Sequence, residues 1–188
     1  KFYWNEKAEN YKYDICNYPK IRKLFAEVQW VFHLAAQSRI QPSLIDPSYT
    51  IEVNCHGTEN VLHACVENKV NKIIYSSSSS VYGMANMIPH KENMPLDCLN
   101  PYAISKSTGE KLCKMYADIY KLEIVILRYF NVYGERQPTK GEFAPVIGRF
   151  LKQKKINNKL TIVGKGKQKR DYTYIGDVIK ANILAAKN

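Results

Sequence analysis

Residues 71–79, NKIIYSSSS, are a short apolar run that ends in small polar side chains. Such a run is typical of a buried strand in a parallel sheet. Two runs of similar length share this pattern, VQWVFHLAA at residues 28–36 and IVILRYF at residues 124–130. Longer stretches with helical periodicity separate them at about residues 46–68 and 100–121. The alternation of strands and helices predicts an α/β fold with a doubly wound parallel sheet.

The pattern changes after Gly134, where the predicted elements become short and mixed. We predict a helix in GEFAPVIGRFLKQ (141–153), strands in KLTIVG (159–164) and RDYTYI (170–175), and a final helix in GDVIKANILAAK (176–187). The chain therefore divides into a sheet-forming part, residues 1–134, and a smaller mixed α/β segment with a returning helix, residues 135–188.

The composition is that of an ordinary globular protein, with 45% hydrophobic and 24% charged residues among 188. No apolar run reaches the roughly 18 residues of a membrane span, and no signal peptide is recognisable, so we expect no membrane association.

Five scattered cysteines without a C-x-x-C pair argue against a disulfide framework and favour the reducing cytosol. Four histidines lack metal-ligand spacing, so no metal is expected.

The formal charge of +11 is concentrated late in the chain, where a basic run from Arg149 to Arg170 contains no acid. Such a run could neutralise the phosphates of a nucleic acid. Base stacking would require interleaved aromatic residues, and none follows Phe150 in this run. We therefore expect solvated lysines with one or two contacts to a diphosphate, and no nucleic acid partner.

Tyr102 and Lys106 lie four residues apart, which places them on one face of the predicted helix. A nearby ammonium lowers the pKa of a phenol from about 10, and a phenol so tuned acts as a general base. The spacing alone also fits two unrelated polar residues on a helix surface. The arrangement favours chemistry, because a serine-rich strand end precedes the helix and Asn100-Pro101 places Tyr102 in its first turn.

Six motifs occur in the order and at the spacing of one enzyme family: VFHLAAQ (31–37), NCHGTENVL (54–62), YSSSSSVYG (75–83), NPYAISK (100–106), LRYFNVYGERQ (127–137) and RDYTYIGDV (170–178). The chain resembles the NAD-dependent epimerase/dehydratase family of extended short-chain dehydrogenases, and within it the UDP-glucose and UDP-N-acetylglucosamine 4-epimerases. The resemblance covers nearly the whole chain. It implies a Rossmann-like fold, NAD as cofactor, a UDP-sugar as substrate, and a full-length protein that is a cytoplasmic homodimer.

The resemblance also assigns roles residue by residue. Ser78, Tyr102 and Lys106 match the catalytic set, in which tyrosine removes a proton, serine holds the substrate oxygen and lysine holds the cofactor ribose. The substrate contacts match Ser78, Asn131 and Arg170, the last as a guanidinium fork for the diphosphate. The cofactor contacts match Asp14, Ile15, Leu34, Ala35, Ala36, Ser76, Tyr102, Lys106 and Phe130. Phe130 is open to a second interpretation, as an aromatic residue of the core.

The reaction that the resemblance implies is 4-epimerisation through a 4-keto sugar. Hydride passes transiently from C4 to tightly bound NAD and returns to the opposite face, so no net oxidation occurs. Residues 1–134 would then be part of the NAD-binding domain, and residues 135–188 part of the nucleotide-sugar-binding segment.

Two features depart from the family pattern. None of the nine glycines forms the glycine-rich loop that meets the pyrophosphate at a helix N-terminus, so we expect about 45 residues to precede Lys1. We also expect a further segment beyond the last residue, poor NAD binding by residues 1–188 alone, and an uncovered sheet edge.

Arg39 stands where relatives carry a small residue near the sugar. We expect it to face solvent, with a contact to a carboxylate or phosphate as the alternative.

Other functions remain open from the sequence. A sugar 4,6-dehydratase or a UDP-glucuronate decarboxylase requires an acid after the strand-end serine, where this chain has Ser79 and Ser80. A UDP-glucuronate 4-epimerase shares SSSSVYG, although RYFNVYGERQ favours the hexose type. A non-catalytic redox-sensing or RNA-binding protein on the same scaffold typically loses the tyrosine or the lysine, and both are present here.

Overall fold

The computed structural model describes residues 4–141, 144–162 and 164–188. Its centre is a three-stranded sheet of β1 (Trp30–His33), β2 (Lys72–Ser78) and β3 (Glu123–Tyr129), in the order β1-β2-β3. Both neighbouring pairs are parallel, with Trp30 opposite Lys72 and Lys72 opposite Glu123. The parallel sheet predicted from the sequence is therefore confirmed, and each strand lies within its predicted run or extends it by one residue.

Helices connect the strands and follow the sheet. They are α1 (Tyr18–Ile21), α2 (Ile40–Ile45), α3 (Pro47–Ile51), α4 (Gly57–Glu67), α5 (Pro101–Tyr120), α6 (Val146–Lys155) and α7 (Ile175–Lys187). Short 3-10 turns cover Arg22–Phe25 and Ser79–Tyr82, and a π turn covers Glu52–His56. The single helix predicted over about residues 46–68 is thus divided into α3, the π turn and α4.

The helices α3 and α5 begin at caps that the sequence dictates. The side chain of Asn100 accepts the N–H of Ala103 at 2.9 Å, and Pro101 occupies the first turn of α5. Asp46 caps α3 in the same way, directly before Pro47. Both caps satisfy N–H groups that the start of a helix leaves unpaired, and proline suits the first turn because its own N–H is missing.

The C-terminal part contains a separate two-stranded parallel sheet, formed by β4 (Asn131–Tyr133) and β5 (Tyr172–Tyr174). β5, α6 and α7 lie where the sequence predicts a strand and two helices. The strand predicted in KLTIVG is wrong for residues 159–162, which have no strand conformation, while Val163 lies outside the described residues. Leu160 and Ile162 remain exposed, so the apolar run gains no burial that would favour a strand.

Helices pack on both faces of β2 and β3, whereas Trp30 and Phe32 leave one face of β1 exposed. Successive side chains of β2 alternate between the two faces. Ser77 donates to Glu110 of α5 on one face, whereas Ser76 on the other face bonds to Tyr129, whose hydroxyl bonds to Asn182 of α7. This is the doubly wound arrangement, and it confirms the fold class that the sequence predicts.

The main core lies between the sheet and helices α4 and α5. Its buried members are Ile21, Val61, Leu62, Cys65, Val70, Ile73, Tyr75, Cys113, Tyr116 and Leu122. Burying a large apolar side chain contributes roughly 1.5–3 kcal/mol, so this cluster holds α5 against β2. Two of the five free cysteines lie inside the core, where they serve as small apolar residues.

The functional side chains expected from the sequence lie mainly at the carboxyl ends of the three parallel strands, which meet at one edge of the sheet. Within the described ranges, no group of three or more histidine, cysteine or acidic residues is arranged to hold a metal ion. Among the helices of the same ranges, none is both long enough and apolar enough to cross a membrane.

Candidate active site

Tyr102 lies in the first turn of α5, directly after Pro101. Its backbone N–H donates to the hydroxyl of Ser43 at 3.2 Å, and its carbonyl accepts from the hydroxyl of Ser105 at 2.8 Å. The bond to Ser43 ties the start of α5 to α2, because Ser43 belongs to that helix. The backbone that carries the half-buried phenol is therefore fixed from both sides.

Ser78 is the last residue of β2, and its side chain lies close enough to the Tyr102 phenol to lower the pKa of that phenol. Its Oγ accepts bonds from the backbone N–H of Ser80 at 3.2 Å and from the Ser80 hydroxyl at 2.9 Å. Because Ser80 is the donor in both bonds, the O–H of Ser78 remains available to donate to the phenol oxygen. The structure thus brings a serine hydroxyl and a phenol together at the strand end.

The surroundings of Tyr102 act on its pKa in both directions. Burial has the largest effect and raises the pKa, while the contact with Ser78 and the positive charge of Arg39 lower it. The net pKa lies above the ordinary value, whereas the sequence predicts a lowered pKa with Lys106 as the cation. Burial penalises the phenolate more than the two favourable contacts offset, and Arg39 supplies the positive charge.

Lys106 is 5% exposed and directs its ammonium toward β2. Its Nζ donates to the carbonyl oxygen of Ser76 at 2.7 Å and lies 5.2 Å from the centroid of the Tyr75 ring. Burial lowers the pKa of Lys106 to about 8. The ammonium therefore changes its protonation state close to physiological pH, and it is held at the strand end by a backbone carbonyl.

His33, the last residue of β1, is a buried neighbour that the sequence reasoning does not single out. Its Nε2 lies 3.0 Å from the hydroxyl oxygen of Thr58, and its ring centroid lies 5.7 Å from that of Tyr75. Burial and, to a smaller extent, the positive charge of Lys106 lower the pKa of His33 to about 3. His33 is consequently neutral. The available signal was its place in the motif VFHLAAQ.

Asn54, in the π turn, connects the loop after β1 with α5. Its Oδ1 accepts the N–H of Gln37 at 2.7 Å, and its Nδ2 donates to the Gln37 carbonyl at 3.0 Å and to the Ser105 hydroxyl at 2.9 Å. The residue is 1% exposed. The available signal was its place as the first residue of the motif NCHGTENVL, although its spacing within the predicted helix is not distinctive. A π turn within a helix often marks a functional site.

A buried ion pair holds α5 against two strands, one turn beyond Lys106. The Glu110 carboxylate accepts from Arg128 at 2.6 Å and 2.9 Å and also from the hydroxyl of Ser77. The guanidinium carbon of Arg128 lies 4.8 Å from the centroid of the Tyr82 ring. Glu110 raises the pKa of Arg128, mainly through these bonds. The pair fixes the ends of β2 and β3 relative to the helix that carries Tyr102.

The residues predicted to form the cofactor wall lie along the same edge. Leu34, Ala35 and Ala36 follow β1 directly. Because β1 and β2 are parallel and in register, these residues flank the end of β2 that carries Ser76. The Leu34 side chain is exposed, and the two alanines leave space beside it. This stretch is an accessible surface next to the predicted catalytic residues.

Ile15 lies against α4, and Asp14 precedes it in the same segment. The Asp14 carboxylate accepts the N–H of Cys16 at 2.9 Å, and the Ile15 carbonyl accepts from the Asn60 side chain at 3.0 Å. A Cβ at Gly57 would come 2.6 Å from the Ile15 side chain, so α4 approaches this segment closely only because it starts with glycine. The two residues form a separate predicted contact point beside α4.

Phe130, Asn131 and Arg170 lie around the ends of β3 and β5. Phe130 follows β3 directly, and its ring centroid lies 6.4 Å from that of Tyr82. Asn131 begins β4 and donates through Nδ2 to the carbonyl of Asp171 at 2.9 Å. Arg170 immediately precedes Asp171 and is exposed. The structure thus bonds Asn131 to the residue that follows Arg170, whereas the Arg170 guanidinium donates to the carbonyl of Lys169 at 2.8 Å.

Sequence comparison adds to this geometry. The whole chain, residues 1–188, matches the NAD dependent epimerase/dehydratase family. It is 43% identical over 183 residues to a candidate UDP-glucose 4-epimerase of Methanocaldococcus jannaschii, which corresponds to 96% of this chain and 60% of that protein. UDP-glucuronate 4-epimerase, dTDP-D-glucose 4,6-dehydratases and a nucleotide-sugar decarboxylase are among the other relatives.

Solved structures share the fold. A UDP-N-acetylglucosamine 4-epimerase from Methanobrevibacter ruminantium, in complex with UDP-N-acetylmuramic acid, gives a TM-score of 0.91 at 35% identity over 95% of this chain and 57% of that one. A UDP-glucose 4-epimerase from Thermotoga maritima, in complex with UDP-glucose, gives a TM-score of 0.93 at 32% identity. The match covers 97% of this chain and 60% of that one. The chain thus spans about 60% of the length of these relatives. Over that span, its strand-end serine, tyrosine and lysine stand in a chain that belongs to the NAD-dependent epimerase/dehydratase family.

Proposed function

We propose that the protein is an NAD-dependent nucleotide-sugar 4-epimerase that acts on a UDP-hexose or a UDP-N-acetylhexosamine. The observation that carries this proposal is the position of Ser78 beside the half-buried Tyr102 phenol at the end of β2, where Ser78 lowers the pKa of that phenol. A hydroxyl and a phenol side by side suit an alcohol that must lose its proton. The 4-epimerases among its relatives support the choice of reaction.

In this proposal, Tyr102 takes the proton of the sugar 4-hydroxyl, and Ser78 holds the same oxygen by donating its O–H. Bound NAD supplies the acceptor and the donor of the C4 hydride, which converts the sugar to a 4-keto form and back. Tyr102 then returns the proton and acts as the acid. Lys106 keeps a positive charge at the strand end, fixed to the Ser76 carbonyl.

The residues at this edge fit a nicotinamide cofactor. An ammonium has three donors, and the Ser76 carbonyl uses one donor of Lys106, which leaves the others for ribose hydroxyls. The small side chains of Ala35 and Ala36 leave room along the strand end. We assign the wall of the cofactor site to these residues with Leu34, Ser76 and Phe130, and the adenine end to Asp14 and Ile15.

We assign the nucleotide part of the substrate to Asn131 and Arg170. Both are exposed, Asn131 bonds to the carbonyl of Asp171 next to Arg170 in the chain, and a guanidinium binds a diphosphate through two parallel bonds. Residues 135–188 would then contribute the nucleotide-sugar contacts, and residues 1–134 the cofactor contacts. The helix α7 links the two parts, because it belongs to the second and packs against β2 and β3 of the first.

The strand end favours an epimerase over a dehydratase or a decarboxylase. Ser79 and Ser80 form the 3-10 turn after Ser78, and neither has a carboxyl group that could protonate a leaving hydroxyl. UDP-glucuronate 4-epimerase is the second candidate. The specific observation in its favour is Arg39, whose positive charge reaches the Tyr102 phenol and whose guanidinium would also suit a sugar carboxylate.

We further propose a homodimer that uses the outward face of α5. Ile104, Met115 and Ile119 of this helix are exposed apolar side chains, and exposed apolar patches mark association sites. Light scattering of the purified full-length protein should give twice the monomer mass, and Ile119→Lys should reduce it to the monomer mass. A wild-type protein with the monomer mass at micromolar concentration would refute the dimer.

A substrate panel tests the proposed reaction. The full-length protein with NAD is incubated separately with UDP-glucose, UDP-N-acetylglucosamine and UDP-glucuronate, and the sugars are followed by proton NMR. We expect conversion of a UDP-hexose or a UDP-N-acetylhexosamine to its 4-epimer without accumulation of NADH. Conversion of UDP-glucuronate alone would select the second candidate. Unchanged sugars together with tight RNA binding would overturn the enzymatic proposal.

A further inference from the structure

The first turn of α5 leaves one backbone N–H that the helix itself does not bond. The first N–H groups of a helix have no partner inside it. Pro101 has no N–H to satisfy. The Asn100 side chain accepts the N–H of Ala103 at 2.9 Å, and the Asn100 carbonyl accepts that of Ile104 at 3.0 Å. The N–H of Tyr102 is the donor that remains in this turn, so its partner has to come from another element.

Ser43 of α2 supplies that partner. Its hydroxyl oxygen accepts the N–H of Tyr102 at 3.2 Å. The same hydroxyl donates its proton to the carbonyl of Ile40 at 2.7 Å, which leaves an oxygen lone pair for α5. The Ser43 side chain is fully buried, so water does not compete for either bond. The hydroxyl is therefore fixed as an acceptor for the start of α5.

The segment that carries Ser43 is anchored a second time beside α5. The Asn54 side chain bonds to the backbone N–H and carbonyl of Gln37 at 2.7 Å and 3.0 Å, and it donates to the Ser105 hydroxyl at 2.9 Å. Ser105 in turn donates to the carbonyl of Tyr102 at 2.8 Å. Both backbone groups of Tyr102 are thus linked to the segment between Gln37 and Ser43, and the bond from Ser43 is the direct one.

The position of the Tyr102 backbone matters for the proposed reaction. The Tyr102 phenol and the Ser78 hydroxyl have to meet the same oxygen of the sugar, and a misplacement of about 1 Å can lower a rate by roughly 10²-fold. Tyr102 is the second residue of α5, and the ends of helices fray more readily than their interiors. A bond from outside the helix is therefore worth more here than it would be further along α5.

We propose that Ser43 is a positioning residue of the proposed active site, whose hydroxyl holds the N–H of Tyr102 and so fixes the phenol where it removes the substrate proton. The inference deepens the proposed function, because it rests on Tyr102 as the base. Ser43 acts through the backbone of Tyr102 and needs no contact with the sugar or with NAD.

The first test separates turnover from binding in the full-length, NAD-bound protein. Ser43→Ala removes the acceptor, so kcat for 4-epimerisation should fall about 10-fold, while KM for the nucleotide sugar stays within about 2-fold of the wild type. Ser43→Thr retains a hydroxyl and should restore most of the wild-type kcat. A Ser43→Ala protein with the wild-type kcat, or with a loss that appears only in KM, would overturn the inference.

Thr50→Val is the matched control for the loss of a buried hydroxyl. Thr50 of α3 is fully buried and donates to the carbonyl of Asp46 at 3.0 Å, as Ser43 donates to Ile40. In the part of the chain that the structure describes, Thr50 has no hydrogen bond to Tyr102. Thr50→Val should lower Tm about as much as Ser43→Ala and leave kcat unchanged. Equal losses of kcat in the two variants would show that lost stability explains the effect, and the inference would fail.

A second measurement needs no turnover and separates the two proposals. Hydrogen–deuterium exchange of the Tyr102 amide is followed by mass spectrometry in the full-length wild type and in Ser43→Ala. The amide should exchange about 5-fold faster in the variant, the factor that one hydrogen bond typically contributes, while amides of α4 keep their rates. Faster exchange in a protein that converts no sugar would refute the proposed function and leave the hold of Ser43 on Tyr102 standing. An unchanged exchange rate refutes the role of Ser43, whatever the activity.

Discussion

Burial changes the pKa of a single residue, Lys106, at this site. Its side chain lies under the first turns of α5, where the Ser76 carbonyl is its hydrogen-bond partner and the Tyr75 ring lies beside it. A cation in such a place is stabilised by the carbonyl dipole and by the face of the ring, and is penalised by the loss of water. The lowered pKa shows that the loss of water dominates.

Lys106 should therefore make stability depend on alkaline pH. Its pKa is about 8 in the folded state against an ordinary value of 10.5, so the unfolded chain binds more protons between these values. Stability from this group rises as the pH increases through that window, by up to about 1.4 kcal/mol per pKa unit. Urea unfolding at several pH values should show the rise in the wild type but not in Lys106→Met. Lys111→Met, at an exposed position of α5, should keep it.

Only some features of the proposed active site could be predicted from the sequence. The spacing of Tyr102 and Lys106 predicts a shared helix face, and the serine run predicts a hydroxyl at the strand end. The direction of the Lys106 ammonium depends on its bond to the backbone carbonyl of Ser76. The order of side chains in the sequence does not predict a bond to a backbone carbonyl. The influence of Arg39 arises from a loop whose position is set by Asn54 and Ser43, both distant in sequence from the residues they hold.

At the scale of elements, α5 is attached to the sheet by the pair of Glu110 and Arg128 in addition to its apolar face. The carboxylate also accepts from Ser77, so one buried group connects α5, β2 and β3. Removing one partner of a buried ion pair leaves the other charge uncompensated, and this lowers stability. Replacing both partners by apolar side chains has a much smaller effect on stability. The attachment of the helix therefore depends on keeping both partners.

Glu110→Gln should lower the free energy of unfolding by about 1.5–3 kcal/mol, because Arg128 loses its charged partner but keeps its bond to the Glu92 carbonyl and its position over the Tyr82 ring. The control is Glu67→Gln, which breaks the pair with Arg22 at 3.6 Å between two half-exposed side chains. Exposed pairs contribute at most about 1 kcal/mol. Urea unfolding compares the two variants, and equal losses of stability would contradict the account.

The elements were predictable where burial dictates them. Runs of apolar residues located β1, β2 and β3, of which β2 is buried along almost its whole length, and the caps Asn100 and Asp46 located the helix starts. The π turn between α3 and α4 was not predictable, since no proline or glycine interrupts residues 52–56. Its form follows from the bonds of Asn54 to the loop and to α5, which are tertiary contacts.

At the scale of the whole molecule, the parallel sheet gathers groups from distant parts of the chain at one edge. His33 of β1, Ser78 of β2 and Phe130 after β3 reach that edge because their strands run in register. The interior beneath it holds His33 and Lys106, and burial lowers the pKa of both groups. This arrangement links the proposed active site to the stability of the entire sheet.

The whole fold should lose stability in mild acid because of His33. Its pKa is about 3 in the folded state and 6.5 ordinarily, so the unfolded chain binds an additional proton between these values. The contribution is fully present above pH 6.5 and is lost as the pH falls toward 3. His33→Gln should flatten this part of the dependence of unfolding free energy on pH, and His63→Gln, at an exposed position, should not. Identical slopes for His33→Gln and the wild type would show that His33 is not buried uncharged.

The most direct test of the central claim is the rate of 4-epimerisation by Tyr102→Phe in the full-length, NAD-bound protein, measured by NMR with the sugar that the wild type converts. We expect a fall of about 10²- to 10⁴-fold, because a general base accelerates a reaction by about that factor, with an unchanged Tm as evidence of folding. A Tyr102→Phe protein that interconverts the sugar as fast as the wild type would show that another group removes the proton.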